Sequence, residues 1–109
     1  MSDKKTAYIF ARVAREDEEK VRLKQQVELC RSFAKENELE VVGVFQFYGS
    51  GTRKKHIEFM TKIDDMEKRP NLVLCKSIDR FSRDVSSSIQ LTQFLGDYGI
   101  DIQTLDGQF

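Results

Sequence analysis

The sequence predicts an α/β domain of three layers: a mainly parallel central sheet with helices on both faces. Short β-prone apolar runs alternate with segments of helical periodicity along the whole chain, the pattern of βα units in sequence. The runs are apolar at consecutive positions, as in strands covered from both sides. A chain of 109 residues with 39% apolar and 33% charged content has the size and balance of one ordinary globular domain.

The elements follow in order. Thr6 to Val13 contains Ala7-Tyr8-Ile9-Phe10-Ala11 and is the expected central strand. After a strongly charged segment, Leu23, Val27, Cys30 and Ala34 recur at helical spacing, which predicts a helix from about Lys20 to Glu36 with Asn37 as its stop. Val41 to Phe47 is a second strand, and Tyr48-Gly49-Ser50-Gly51-Thr52 has loop chemistry. Phe59, Met60, Ile63 and Met66 mark a second amphipathic helix ending before Pro70, which disfavours helical geometry at Arg69. Leu72 to Cys75 is a short apolar strand. Asp84 can cap a third helix with the stripe Leu91, Phe94, Leu95 and Tyr98, closed by Gly99, and Ile100 to Leu105 reads as a fourth strand.

Composition narrows the function classes. No apolar run approaches the roughly 20 residues of a membrane span, and Met-Ser-Asp-Lys-Lys is no signal-peptide start, so a cytoplasmic location without membrane contact is expected. Cys30 and Cys75 fall within apolar patterns and are expected as buried, reduced core residues. One histidine, His56, and two isolated cysteines supply no ligand set, so no metal and no other cofactor is expected. Eighteen basic and eighteen acidic side chains cancel. A chain of this balance lacks the basic footprint of a domain that holds DNA chiefly by counterion release.

In sheets of this kind ligands sit beyond the carboxyl ends of the strands, which directs attention to Arg12 through Arg15, the loop after Phe47, and Lys76 through Asp84. Arg12, Arg80 and Arg83 are more guanidiniums than packing requires. Around one crevice they suit a phosphate, each offering a planar fork of donors and a permanent charge. A surface salt-bridge cluster of Asp79, Arg80, Arg83 and Asp84 at a helix start is the plainer alternative from spacing alone.

Resemblance favours the phosphate. Tyr8-Ile9-Phe10-Ala11-Arg12-Val13, followed by a small residue and acidic residues, resembles the opening of serine site-specific DNA recombinases of the resolvase/invertase type. Gln26 matches a glutamine on that family's first helix, Ser50-Gly51 its Ser-Gly loop, and Val73 through Arg83, with Asp79-Arg80-Phe81-Ser82-Arg83, its strand followed by Asp-Arg-Leu-Ser-Arg. The resemblance covers nearly the whole chain in order and implies a resolvase-like catalytic domain that acts on DNA. Such enzymes attack a phosphodiester with a serine oxygen, leaving a phosphoserine-linked 5′ end and a 3′ hydroxyl, and rejoin the strands by reversal. Carried over by position, Arg12, Arg80 and Arg83 surround the scissile phosphate and stabilise its pentavalent transition state. Asp79 orients arginine or assists proton transfer, while Gln26 and a basic residue of the Ser-Gly loop, Arg53 or Lys54, position the phosphate.

The departures are specific. Ala14 stands where the family carries its nucleophilic serine, so covalent attack from that position has no oxygen to use. Ser50 and Ser86-Ser87-Ser88 are present, but the family pattern gives none of them the nucleophile's role. Phe47 replaces an acidic residue before the Ser-Gly loop, and an arginine-proline pair reads Lys54-Lys55. Ala14 is either a substitution made to trap an inactive form or a natural divergence of the domain, and the further changes weigh slightly toward the second. The rival reading is a non-catalytic module that keeps the fold for contact with DNA or protein. A flavodoxin-like signalling domain fits less well, because the first loop has neither a Gly-rich cradle nor an acidic pair for magnesium. The resemblance further implies a homodimer or homotetramer in the full-length protein, an association with mobile-element recombination or DNA integration, and an interface helix and DNA-binding domain following residues 1–109.

Overall fold

The computed structural model describes residues 5–13, 16–48, 53–76 and 85–105. In chain order these form β1 (Thr6–Val13), α1 (Glu16–Glu36), β2 (Glu40–Tyr48), α2 (Arg53–Asp64), β3 (Leu72–Cys75), α3 (Val85–Asp97) and β4 (Asp101–Thr104). All described strand pairs are parallel, in the order β2-β1-β3-β4. The expected three-layer α/β fold is therefore the observed one, with a sheet wholly rather than mainly parallel.

The strand order dictates the layers. The chain leaves β1 in one direction to reach β2, then travels back past β1 to reach β3 and on to β4. Right-handed crossovers in opposite directions place their helices on opposite faces. Accordingly α1 brings Cys30 and Ala34 against Ala7, Ile9 and Leu74, while α2 and α3 bring Phe59, Ile63, Leu91 and Leu95 against Tyr8, Phe10, Phe45, Phe47, Val73 and Cys75. Alternate residues of β1 thus supply two separate cores, which is why Ala7 to Ala11 are apolar at consecutive positions. Cys30 and Cys75 are both buried, on opposite sides of the sheet, and neither forms a disulfide.

A bulge in β2 sets which of its residues face which core. Ala7 pairs with Val41 but Tyr8 pairs with Gly43, leaving Val42 as the extra residue, 39% exposed. Strict alternation from Val41 would send Phe45 and Phe47 to the α1 side. The inserted residue reverses the phase and delivers both rings to the α2/α3 side, where Phe10, Phe45 and Phe59 pack with centroids 5.0 to 5.7 Å apart. Gly43 lies directly against the Tyr8 ring.

Two helices end in the same motif. At α3, Ile100 donates to the Leu95 carbonyl (2.8 Å) and Gly99 to that of Gly96 (3.0 Å), with Gly99 left-handed at φ 70°. At α1, Leu39 donates to Ala34 (2.7 Å) and Glu38 to Lys35 (3.3 Å), with Glu38 in that conformation at φ 56°. The stop expected at Asn37 is thus shifted by one residue. Asn37 instead turns its side-chain amide onto the Phe33 carbonyl, at 2.9 Å. Helix α1 also begins earlier than its apolar stripe, at Glu16.

The amino-terminal end of the sheet is tied together by Asn71. Its Oδ1 accepts from the Thr6 amide (2.7 Å), its own amide donates to the Thr6 carbonyl (2.9 Å), and its carbonyl accepts from Asp101 (3.1 Å). These bonds hold β1, β3 and β4 at one end and leave the carboxyl ends as the place where the strands separate.

Candidate functional site

The connections leaving β1 and β3 at their carboxyl ends run in opposite directions, so the switch point of the sheet lies between these two strands. β1 stays paired with β2 to Val13, but its pairing with β3 ends at Ile9 and Leu74. Arg12 lies beyond the last described pair of β1 with β3.

Arg12 shares the face of Tyr8 and Phe10 by strand period and is only 2% exposed. Its register partner on β2 is Phe47, which faces the same core. The beginning of α2 covers this region: the Lys55 ammonium lies 5.7 Å from the centre of the Phe47 ring, and the buried His56 ring lies 6.4 Å from that of Phe10. A guanidinium is charged at any working pH, and its burial is tolerated only among groups that compensate the charge.

Gln26 fixes the main chain at this point. It lies on the inward face of α1, one turn from Leu23 and Cys30, and is 3% exposed. Its Oε1 accepts from the Arg12 amide and its Nε2 donates to the Arg12 carbonyl, both at 3.1 Å. A side-chain amide presents the same donor and acceptor as a peptide group, so Gln26 takes the bonds that a strand neighbour would otherwise make. Sequence reasoning assigned Gln26 to a phosphate; the contact present is with the backbone of another site residue.

Lys54 and Arg53 were expected in a loop. Helix α2 instead begins at Arg53, so both belong to its first turn, and Lys54 is exposed. The correction has a simple physical origin: Arg, Lys and Lys are good helix formers, whereas the loop reading was carried over from the family's Ser-Gly loop. His56 is the missing inward residue, since His56, Phe59 and Ile63 follow helical spacing and are all buried. That spacing was available in the sequence, although His56 was considered there only as a metal ligand. The first turn of α2 carries no acidic residue. Three successive cations at the positive end of a helix are unfavourable in isolation and favour a nearby anion.

Ala14, Asp79, Arg80 and Arg83 lie outside the described residues, as do Ser50 and Asp84. Of the expected site, the structure therefore brings together Arg12 and Gln26, under the beginning of α2. Among the described residues no group of three His, Cys, Asp or Glu side chains is placed to hold a metal, and no helix is long and apolar enough to cross a membrane. Burial pushes the Cys30 thiol up to about 11 and raises the Tyr8 phenol; both groups belong to the cores rather than to the crevice.

Comparison with known proteins agrees with this fold. A resolvase family site-specific recombinase from Streptococcus pneumoniae is 27% identical, with a TM-score of 0.82 over 95% of this chain and 74% of that one. The N-terminal catalytic domain of TP901-1 integrase (21% identity, TM-score 0.77, 94% of this chain and 78% of that one) shares the fold. So does the C-terminal catalytic domain of ISC1926 TnpA, an IS607-like serine recombinase (22%, 0.78, 92% and 69%). No curated protein sequence matches the chain. The family model for the resolvase N-terminal domain matches residues 7–109, nearly the whole chain, and with the all-parallel sheet and its switch point this establishes that the chain belongs to the resolvase N-terminal domain family.

Proposed function

We propose that this domain engages DNA phosphates at the carboxyl ends of β1 and β3, as the catalytic domain of a serine-type site-specific recombinase whose nucleophile position, Ala14, carries no oxygen. The observation that carries the reading is Arg12: a permanent cation, buried where the central strand parts from β3, with its main chain held on both polar atoms. The acid-free first turn of α2, Arg53-Lys54-Lys55, supports the same electrostatic role.

In this reading Arg12, Arg80 and Arg83 surround the phosphate, with Asp79 orienting an arginine. The arginines stabilise charge that grows on the phosphate oxygens as an attacking oxygen approaches, each such donor contributing roughly 3–4 kcal/mol at the transition state. The Ala14 methyl group has no lone pair to attack with, so the chain binds DNA without cutting it. Binding is weak, salt-sensitive and indifferent to sequence, because phosphate contacts carry no base information. The non-catalytic module is the second reading, and Ala14 itself favours it.

Two measurements separate these readings. Arg12→Ala should weaken binding of the chain to a short duplex DNA; equal affinity would remove Arg12 from the interface. Ala14→Ser, placed in any longer recombinase that carries this domain and offered its own site, should yield a denaturation-resistant 5′ protein–DNA adduct. A folded Ala14→Ser protein that binds the site and forms no adduct would leave the non-catalytic module as the better account.

A further inference from the structure

We infer that Gln26 is a positioning residue that acts on the phosphate only through Arg12, by holding both polar groups of its main chain. The inference rests on the reading of Arg12 as a phosphate ligand. β1 keeps β2 to its last residue, whereas its described pairing with β3 stops at Ile9 and Leu74. Arg12 lies beyond the last described pair, and its amide and carbonyl both bond the Gln26 side chain. A buried peptide group without such bonds is unfavourable, and a strand end without lateral bonds is free to twist. Gln26 takes both groups at once, at 3.1 Å each, from a position 3% exposed on the packed face of α1.

Two bonds to one residue fix the plane of the backbone as well as its position. The guanidinium sits at the end of a long side chain, so a small rotation at Cα becomes a large displacement at its nitrogens. Gln26 therefore sets where the charge of Arg12 is presented, and helix α1 becomes the rigid support of a site on the other face of the sheet. A glutamine used in this way has its carbonyl oxygen and one amide hydrogen committed to the protein.

The test uses the 109-residue chain, a short duplex DNA of arbitrary sequence as ligand, and amide hydrogen exchange at Arg12. Gln26→Leu should expose the Arg12 amide to exchange and weaken DNA binding about tenfold, the scale of one charge-assisted contact. Gln26→Glu keeps the shape and gives a readout within one folded protein. Its ionised carboxylate has no hydrogen for the Arg12 carbonyl, whereas the neutral acid has one donor and one acceptor, as the amide does. Protection at Arg12 and affinity relative to the native chain should both recover as pH falls through the carboxyl range. If Arg12→Ala weakens binding but Gln26→Leu or Gln26→Glu does not, the inference falls and the phosphate reading stands. The inference also falls if affinity is lost while the Arg12 amide stays protected, since Gln26 would then touch the phosphate itself. If Arg12→Ala leaves binding unchanged, the phosphate reading falls and takes the inference with it.

Discussion

Gly43→Ala tests the bulged register of β2, which decides where the aromatic core lies. A Cβ at this position would stand 2.5 Å from Cε2 of Tyr8, 2.7 Å from Cζ and 3.0 Å from Cδ2. Carbon atoms in contact prefer about 3.5–4.0 Å, so the ring has to retreat by roughly 1 Å. It has little room, because Tyr8 is 9% exposed and meets Phe59 edge-on at 5.6 Å, and Phe59 is itself fully buried against Phe10 and Phe45. Overpacking of this kind costs about 1–3 kcal/mol, and removal of a strand glycine returns about 0.5–1 kcal/mol by restricting the unfolded chain. The expected net loss is about 1–2 kcal/mol, a fall in Tm of about 5–15 °C for a domain of this size. Thermal melts and urea midpoints, repeated in a Tyr8→Ala background, provide the assay. There the same substitution should be neutral or stabilising, because the obstructing ring is gone. A higher Tm for Gly43→Ala in the native background, or an equal fall in both backgrounds, would refute the assigned contact and the register with it.

Two further predictions concern a helix end and a buried thiol. Glu38→Gly should raise stability by up to about 1 kcal/mol, because a left-handed residue with a side chain is replaced by one without, while Gly99→Ala, at the equivalent point after α3, should lower it by a similar amount; equal and unchanged melting temperatures would contradict the capping geometry. The Cys30 thiol, at about 11 in the folded chain against 9.0 as a free group, stays protonated where the unfolded chain has already released its proton. Stability at this site is therefore complete below the unfolded value and is lost as pH rises through the folded one. Cys30→Ala should flatten the fall in Tm between roughly pH 9 and pH 11, and an unaltered slope would show that the thiol titrates normally.

How much of this was legible in the sequence depended on whether tertiary pairing was needed to read it. β1, apart from Thr6 and Arg12, and β3 are apolar runs and were found at their observed limits, Thr6–Val13 and Leu72–Cys75. The starts of α1 and α2 were missed because their first turns carry charged residues and no apolar one, so apolar periodicity gives no signal there. The bulge at Val42 could not be read at all: Val41, Val42, Val44, Phe45 and Phe47 are all apolar, so only the partner strand decides which of them face which core. In the site, Arg12 stood out as a charge inside an apolar strand. Gln26 was found by resemblance, but its partner depends on β3 leaving β1, a property of topology that no local spacing encodes.

The separation of Cys30 from Cys75 by the sheet makes the two thiols independent clocks for the two helical layers. A fully buried thiol reacts with an alkylating reagent only during openings that bring it to solvent. Lifting of α1 uncovers Cys30 and leaves Cys75 shielded; detachment of α2 and α3 does the reverse. Mass spectrometry of a partly alkylated native sample then counts singly and doubly labelled chains. Labelling in step would mean that the domain opens as one cooperative unit. Labelling of one site ahead of the other would name the layer that yields first.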